Sequence, residues 1–325
     1  MSTDNGSSFP PAGESRLSPS SSGCSGIPVP VFYYHNALAE ELTRDLRFLA
    51  ENGYSTLLAS EVVDILCHRR PPPPRPVALT FDDALHSVLE VGLPLLEQFG
   101  MRATVFAITG FTPQRAERRA ARPVPGGEVL GWSDLLMLHD GGIFEIGSHG
   151  HRHNPVHVCG EDGPSLRLAS YKRSYDVPVP YGPECGPEAV IAAEGKPVRA
   201  SAPLFAAQHL FVEGELVDAE TFIRADLNAS REALRQRLGI ERVHLCLPYG
   251  AGSSALPSLA RDCGFESIFW AERKDRHHNR PGDDPYHIVR RKADFLRRLP
   301  GRGRRSLGGL FLYKVTRRLR GDPFE

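Results

Sequence analysis

The 325-residue sequence has no net charge: 39 lysines and arginines stand against 39 aspartates and glutamates. That balance argues against a chain drawn to nucleic acid by its overall field. Its six cysteines (Cys24, Cys67, Cys159, Cys185, Cys246 and Cys263) include no C-x-x-C pair. A zinc ribbon is therefore excluded, and there is no disulfide framework. No apolar run approaches the ~20 residues needed to cross a bilayer. The opening residues, Met1 to Ser8, lack the basic and apolar regions of a secretory signal. The expectation is a soluble, cytoplasmic protein.

Residues 1–25 are rich in Ser, Pro and Gly and carry too few large apolar side chains to offset the entropy of ordering, so they read as a disordered leader. From Ile27 on, apolar strand patterns alternate with helical ones. Ile27–His35 is an extended segment, and Val77–Phe81, Ala103–Ile108, Ile143–Ser148 and Val243–Leu247 are the clearest strands. A helix with Leu42, Leu46 and Leu49 on one face, one capped by Ser60, one over Leu85–Phe99 and one over about 218–238 lie between them. This alternation predicts a parallel α/β architecture, and the number of repeats favours a barrel with its chemistry at the carboxyl ends of the strands. Residues 155 to about 215 break the rhythm with prolines and glycines, as a long irregular insertion would. The expected organisation is a domain over 26–295 and a basic tail over 296–325.

Two stretches carry the chemistry. Val77-Ala-Leu-Thr-Phe-Asp-Asp-Ala84 runs an apolar strand into adjacent carboxylates, whose side chains diverge at a strand end. The alternative is that Asp82-Asp83 caps the next helix. Ser148-His-Gly-His-Arg-His-Asn-Pro155 follows another strand, with His149 and His153 four apart. Two imidazoles and one carboxylate, with a position left for water, are the ligands of a catalytic rather than a structural zinc site.

Thr80-Phe-Asp-Asp-Ala84, His149-Gly-His-Arg-His153 and Leu247-Pro-Tyr-Gly250 together resemble, in order and spacing, the motifs of the NodB-homology polysaccharide deacetylases (carbohydrate esterase family 4). The resemblance covers roughly residues 27–295. It implies a deformed (β/α) barrel that hydrolyses acetyl groups, most often N-acetyl, on a sugar, polysaccharide or glycolipid precursor. Asp83, His149 and His153 would hold a divalent ion, zinc in the usual case. Asp82 would be the general base acting on a metal-bound water, and the Tyr249 backbone N–H would serve the oxyanion, with Pro248, Tyr249 and Trp270 against the substrate.

Three departures from the family pattern stand out. Ala84 replaces a glycine. Cys246 occupies the place of an arginine that orients the base, a duty Arg290 or Arg291 would have to take over. The late histidine acid has no clear counterpart, His287 being the nearest candidate. These departures keep open a carbohydrate-binding relative without turnover. The His149-x-His151 spacing suggests a different metal-dependent amidohydrolase as a further alternative. Residues 290–325 hold 12 basic against 3 acidic residues, interleaved with Leu307, Leu310, Phe311, Leu312 and Val315. This pattern points to an amphipathic helix and to peripheral contact with an anionic membrane.

Overall fold

The structure, a computed structural model, describes residues 26–114, 128–153, 155–157, 201–212, 215–272 and 276–320. The proposed leader, most of the 112–130 loop and the centre of the insertion lie outside the described residues.

A nearly closed parallel barrel forms the domain. Its first half consists of β1 (Val31–Tyr34), α1 (Ala39–Glu51), β2 (Ser55–Leu57), α2 (Ala59–Leu66), β3 (Pro76–Phe81), α3 (Leu93–Phe99), β4 (Ala103–Ala107), α4 (Trp132–Asp140) and β5 (Phe144–Ser148). After the insertion come α5 (Glu220–Leu238), β10 (Val243–Cys246), α6 (Leu256–Asp262), β11 (Phe265–Trp270), β12 (Ile288–Val289), β13 (Arg291–Lys292) and α7 (Leu307–Arg320). The strand order is β12-β11-β10-β5-β4-β3-β1-β13, with β2 beside the first half of β3. β12 and β13 are successive pieces of one short segment. The first pairs with β11 and the second with β1, so residues 288–292 draw the two edges of the sheet together, and Arg290 sits at the crossover.

Alternate residues of each strand face opposite sides, and the two cores follow from that. Val31, Ala78, Phe106, Cys246, Phe269 and Ile288 fill the inside of the barrel, together with Val62, Val63, Ile65 and Leu66 of α2. Phe32, Leu79, Phe81 and Val105 face outward under α1, α3, α4 and α5. α2 therefore closes the end where the strands begin. Ala59 N–H donates to Thr104 Oγ1 at 2.9 Å, and Ser60 N–H to Glu145 at 2.9 Å, both acceptors lying near the start of their strands. Ser60 does not cap α2 as expected. The N-cap is Leu58, whose N–H donates to Glu61 at 2.9 Å, because Glu145 at the barrel floor takes the Ser60 hydroxyl instead.

The expected helix over Leu85–Phe99 also differs. Leu85 bridges to Val129 and His86 N–H donates to Glu128 O at 2.7 Å. The chain then passes a π-helical turn, Val88–Gly92, before α3 begins. The described ends of the insertion are not irregular: β6 (Pro155–His157) pairs antiparallel with β7 (Ser201–Pro203), and β8 (His209–Val212) with β9 (Glu215–Asp218). Among the described residues no helix is long and apolar enough to cross a membrane.

The plug makes the barrel floor sensitive to side-chain volume. Ile65→Ala should destabilise the protein by about 2–5 kcal/mol, read as a lower urea midpoint at unchanged slope.

Candidate active site

All the candidate chemistry gathers at the carboxyl ends of the strands, opposite the α2 plug. Asp82 and Asp83 leave β3, and the chain turns there rather than entering a helix: Asp83 and Ala84 have φ of 67° and 54°, and Asp82 N–H donates to Tyr34 O at 2.9 Å. The helix-cap reading of this pair therefore does not hold. The turn also explains the glycine usual at position 84: a buried alanine here holds a left-handed backbone, at a cost of order 1 kcal/mol.

Asp82 is clamped by Arg290. Nη1 donates to Oδ1 at 2.6 Å and Nη2 to Oδ2 at 2.9 Å, while Nη1 also reaches Thr80 Oγ1 at 3.1 Å. The guanidinium carbon lies 4.9 Å from the Tyr33 ring centre and 5.8 Å from that of Phe106. Burial pushes the Asp82 carboxyl up, but the Arg290 charge and its two hydrogen bonds outweigh that and hold it well below the usual carboxylate range. Cys246 donates its thiol to Asp82 Oδ1 at 3.5 Å, and burial raises the thiol pKa, so it is a weak donor rather than a nucleophile. The arginine missing from position 246 thus arrives from the closing strand. Arg291 points elsewhere, to Glu272 at 3.3 Å and over the Phe295 ring.

Asp83 Oδ1 stands 3.5 Å from His149 Nε2 and 3.6 Å from His153 Nε2, all three side chains buried. His149 Nδ1 lies 3.0 Å from Cys246 O. A carbonyl only accepts, so Nδ1 carries the proton and Nε2 presents a lone pair toward Asp83. Burial lowers the His149 pKa to about 4 against the opposing pull of Asp82, with Arg290 adding to the fall, so the ring is neutral near pH 7. One carboxylate oxygen and two imidazole nitrogens within 4.8 Å of one another suit a small divalent ion. Tetrahedral ligands at zinc distances stand roughly 3.3 Å apart, and an anchored far nitrogen is what a ligating histidine needs.

The histidine loop is gripped from two sides. Asp226 of α5 accepts the backbone N–H of His151 at 2.8 Å and of Arg152 at 3.2 Å. Ser230, one turn on, meets Ser148 Oγ at 2.6 Å, and Ser148 Oγ accepts Gly150 N–H at 3.0 Å. From the other side, Thr109 and Gly110 donate their backbone N–H to Gly150 O and His151 O. Sequence reasoning missed Asp226 and Ser230. The available signal was a polar pair on a stripe that Ile223, Leu227 and Leu234 otherwise make apolar.

Pro248 and Tyr249 follow β10 in a tight turn. Tyr249 has φ 59°, its ring centre is 5.0 Å from that of His153, and its hydroxyl donates to His153 O at 3.4 Å. The next residue must be glycine: with φ 64°, a Cβ at Gly250 would stand 2.0 Å from that of Ala271. Trp270 and His287 do not join the cluster. Their rings stack on each other, centres 5.7 Å apart and nearly parallel, with Trp270 Nε1–H on Tyr286 O and His287 against Asp284 at 2.8 Å. His35, not singled out from the sequence, leaves β1 at the catalytic end. It lies edge-on to Tyr33, ring centres 5.8 Å apart.

The sequence family described as polysaccharide deacetylase matches residues 69–176, a span that holds both the aspartate pair and the histidine loop. YxkH of Bacillus subtilis (strain 168), provisionally named a polysaccharide deacetylase, is 32% identical over 88 residues. That match covers 25% of this chain and 32% of the relative's length. Among solved structures, the BpsB deacetylase domain of Bordetella bronchiseptica superposes with a TM-score of 0.61 at 20% identity, covering 82% of this chain and 96% of that one. A de-N-acetylase of Aggregatibacter actinomycetemcomitans does so at 0.60 and 14% identity, covering 88% and 100%. At those identities the structural matches speak for the fold alone. The sequence likeness covers residues 69–176, and the structural likeness is one of fold: the chain shares the barrel of these deacetylases.

Two predictions follow from this geometry. Asp226→Ala leaves two buried N–H groups of the histidine loop without their acceptor, and zinc affinity measured by chelator competition should fall roughly 10–100-fold with the barrel still folded by circular dichroism. The second concerns the buried clamp. A depressed Asp82 contributes stability that is present above its unfolded value of 3.8 and lost as pH falls through the lower folded value. In Arg290→Met, the strongest opponent of burial is gone and that carboxyl rises from its wild-type value. The variant should lose about 3–5 kcal/mol near neutral pH, and its deficit should shrink as the pH is lowered, followed by urea unfolding from pH 4 to 8.

Proposed function

We propose that the protein is a metal-dependent hydrolase that removes acetyl groups, N-acetyl above all, from a sugar, polysaccharide or glycolipid precursor. The observation that carries this reading is the division of the aspartate pair: Asp83 faces the Nε2 atoms of His149 and His153, while Asp82 is locked as an anion on Arg290 beside them. Asp83, His149 and His153 would hold the divalent ion, zinc by the donor set. When bound, it supplies Lewis-acid polarisation of the acetyl oxygen and acidifies water.

The protein's own residues do the rest. Asp82, held as an anion, would take the proton of the attacking water. Arg290 and the Cys246 thiol hold that carboxylate in place. The Tyr249 backbone N–H, presented by the left-handed turn beside His153, donates to the oxyanion. His35 gives its proton to the departing amine, which leaves with acetate as the second product. The assignment of His35 rests on its place at the rim, one residue past the end of β1 and edge-on to Tyr33. The N-acetyl preference draws support from the de-N-acetylase among the fold neighbours.

A binding protein without turnover had two motives, the missing arginine and the missing acid. The Arg290 clamp removes the first, and His35 offers an answer to the second. The test is acetate release from N-acetylated oligosaccharides by the zinc-loaded protein. Asp82→Asn should abolish release while zinc binding persists, and His35→Gln should lower kcat about 10²–10⁴-fold with little change in KM. A wild-type protein that binds zinc and releases no acetate from a broad panel would return the reading to binding.

A further inference from the structure

The C-terminal helix packs the wrong way round for an ordinary surface helix. Of its large apolar residues, Leu310 is buried against the barrel, yet Leu307, Phe311 and Leu312 are 66%, 71% and 62% exposed. A surface helix usually turns its apolar stripe to the core. Here the docking to the domain is largely polar: the Tyr313 hydroxyl donates to Glu41, Lys314 pairs with Asp294 at 3.3 Å, and the Arg305 guanidinium lies over the Tyr313 ring. The outward face is left apolar, Leu307 and Phe311 standing one turn apart with Leu312 beside them.

Charge completes the pattern. Residues 290–325 carry 12 basic and 3 acidic side chains, a surplus of 9, in a chain whose total is zero, so residues 1–289 carry a deficit of 9. Arg302 and Arg304 are exposed just before α7, and the sequence of its last turn supplies Arg317, Arg318 and Arg320. We infer that α7 is an interfacial helix that docks the enzyme on an anionic lipid surface, Leu307, Phe311 and Leu312 entering the headgroup boundary and the flanking arginines meeting lipid charge.

The route of the chain shows what docking does to the active site. Arg302 is held by Asn52, through its N–H at 2.6 Å and its carbonyl at 3.1 Å, and the Tyr54 hydroxyl donates to Pro300 O at 2.7 Å. Both partners lie beyond the end of α1, at the barrel floor. Tyr313 and Lys314 instead reach Glu41, in the first turn of α1, and Asp294, just after β13, both at the catalytic end. The 14-residue helix, roughly 21 Å long, climbs the barrel wall toward the mouth. A membrane against its outer face holds the barrel on its side, with the mouth opening along the headgroup layer, within reach of a glycan carried on a lipid.

Docking requires no turnover, so its test is separate from that of the deacetylase reading. The full chain is sedimented with phosphatidylcholine vesicles and with vesicles containing phosphatidylglycerol. Binding is expected to the anionic vesicles only, and to be lost when salt is raised to 0.5 M. F311S/L312S and, separately, R302E/R304E should each weaken it at least tenfold, with thermal melting and zinc binding unchanged. Equal binding to both vesicles, no binding to either, or undiminished binding by F311S/L312S would overturn the proposal. So would a dimer seen by analytical ultracentrifugation that F311S/L312S converts to monomer, since a second copy would then be what covers the face.

Discussion

The Asp82–Arg290 pair ties the chemistry of this protein to the closure of its barrel. Arg290 lies between the two short pieces of strand that join β11 to β1, so the residue at the seam is also the one that holds Asp82. Both members are buried, and a buried pair repays its desolvation only with good geometry and satisfied neighbours. Two parallel hydrogen bonds, the Thr80 hydroxyl, the Cys246 thiol and two aromatic rings go most of the way to that condition, while Arg290 Nε is buried without a hydrogen-bond partner among the described residues. Burial by itself raises the Asp82 carboxyl, and the Arg290 charge is the largest influence against it. With Arg290 it stays an anion.

The cluster of Asp83, His149 and His153 is organised on a different principle. Its three side chains stand on two turns with left-handed residues, Asp83 and His153 among them. Strained turns keep their shape only where surrounding bonds over-determine them. For the histidine loop those bonds come from Asp226 and Ser230 on α5 and from the turn after β4. Burial pushes the Asp226 carboxyl up to about 6, partly offset by the two N–H groups it accepts, which marks it as a costly group kept for what it positions. The apolar plug of α2 at the other end lets the open rim carry this polar load.

Local sequence was enough for a large part of this account. The parallel barrel follows from the alternation of strand and helix patterns, and the two ligand-bearing motifs from carboxylates and imidazoles placed where apolar strands stop. Boundaries set by long-range partners were not legible. Ser60 reads as a cap but serves Glu145, and the helix expected from Leu85 is delayed by the bridge to Val129. Ala84 illustrates the same limit, since its side chain says nothing of the φ of 54° that the turn imposes.

What the sequence by itself determined is the inventory: two adjacent carboxylates and a pair of imidazoles four residues apart, at strand ends, and a tail with apolar and basic residues at helical spacing. Periodicity and residue chemistry are local properties, and they survive without coordinates. Tertiary structure alone decided which distant groups complete the site. It chose Arg290 over Arg291, set His287 against Trp270 instead of the cluster, brought His35 to the rim, and turned the apolar face of α7 outward. Each of these depends on which side of a strand or helix a residue occupies once the barrel has closed, and that is a property of the whole chain.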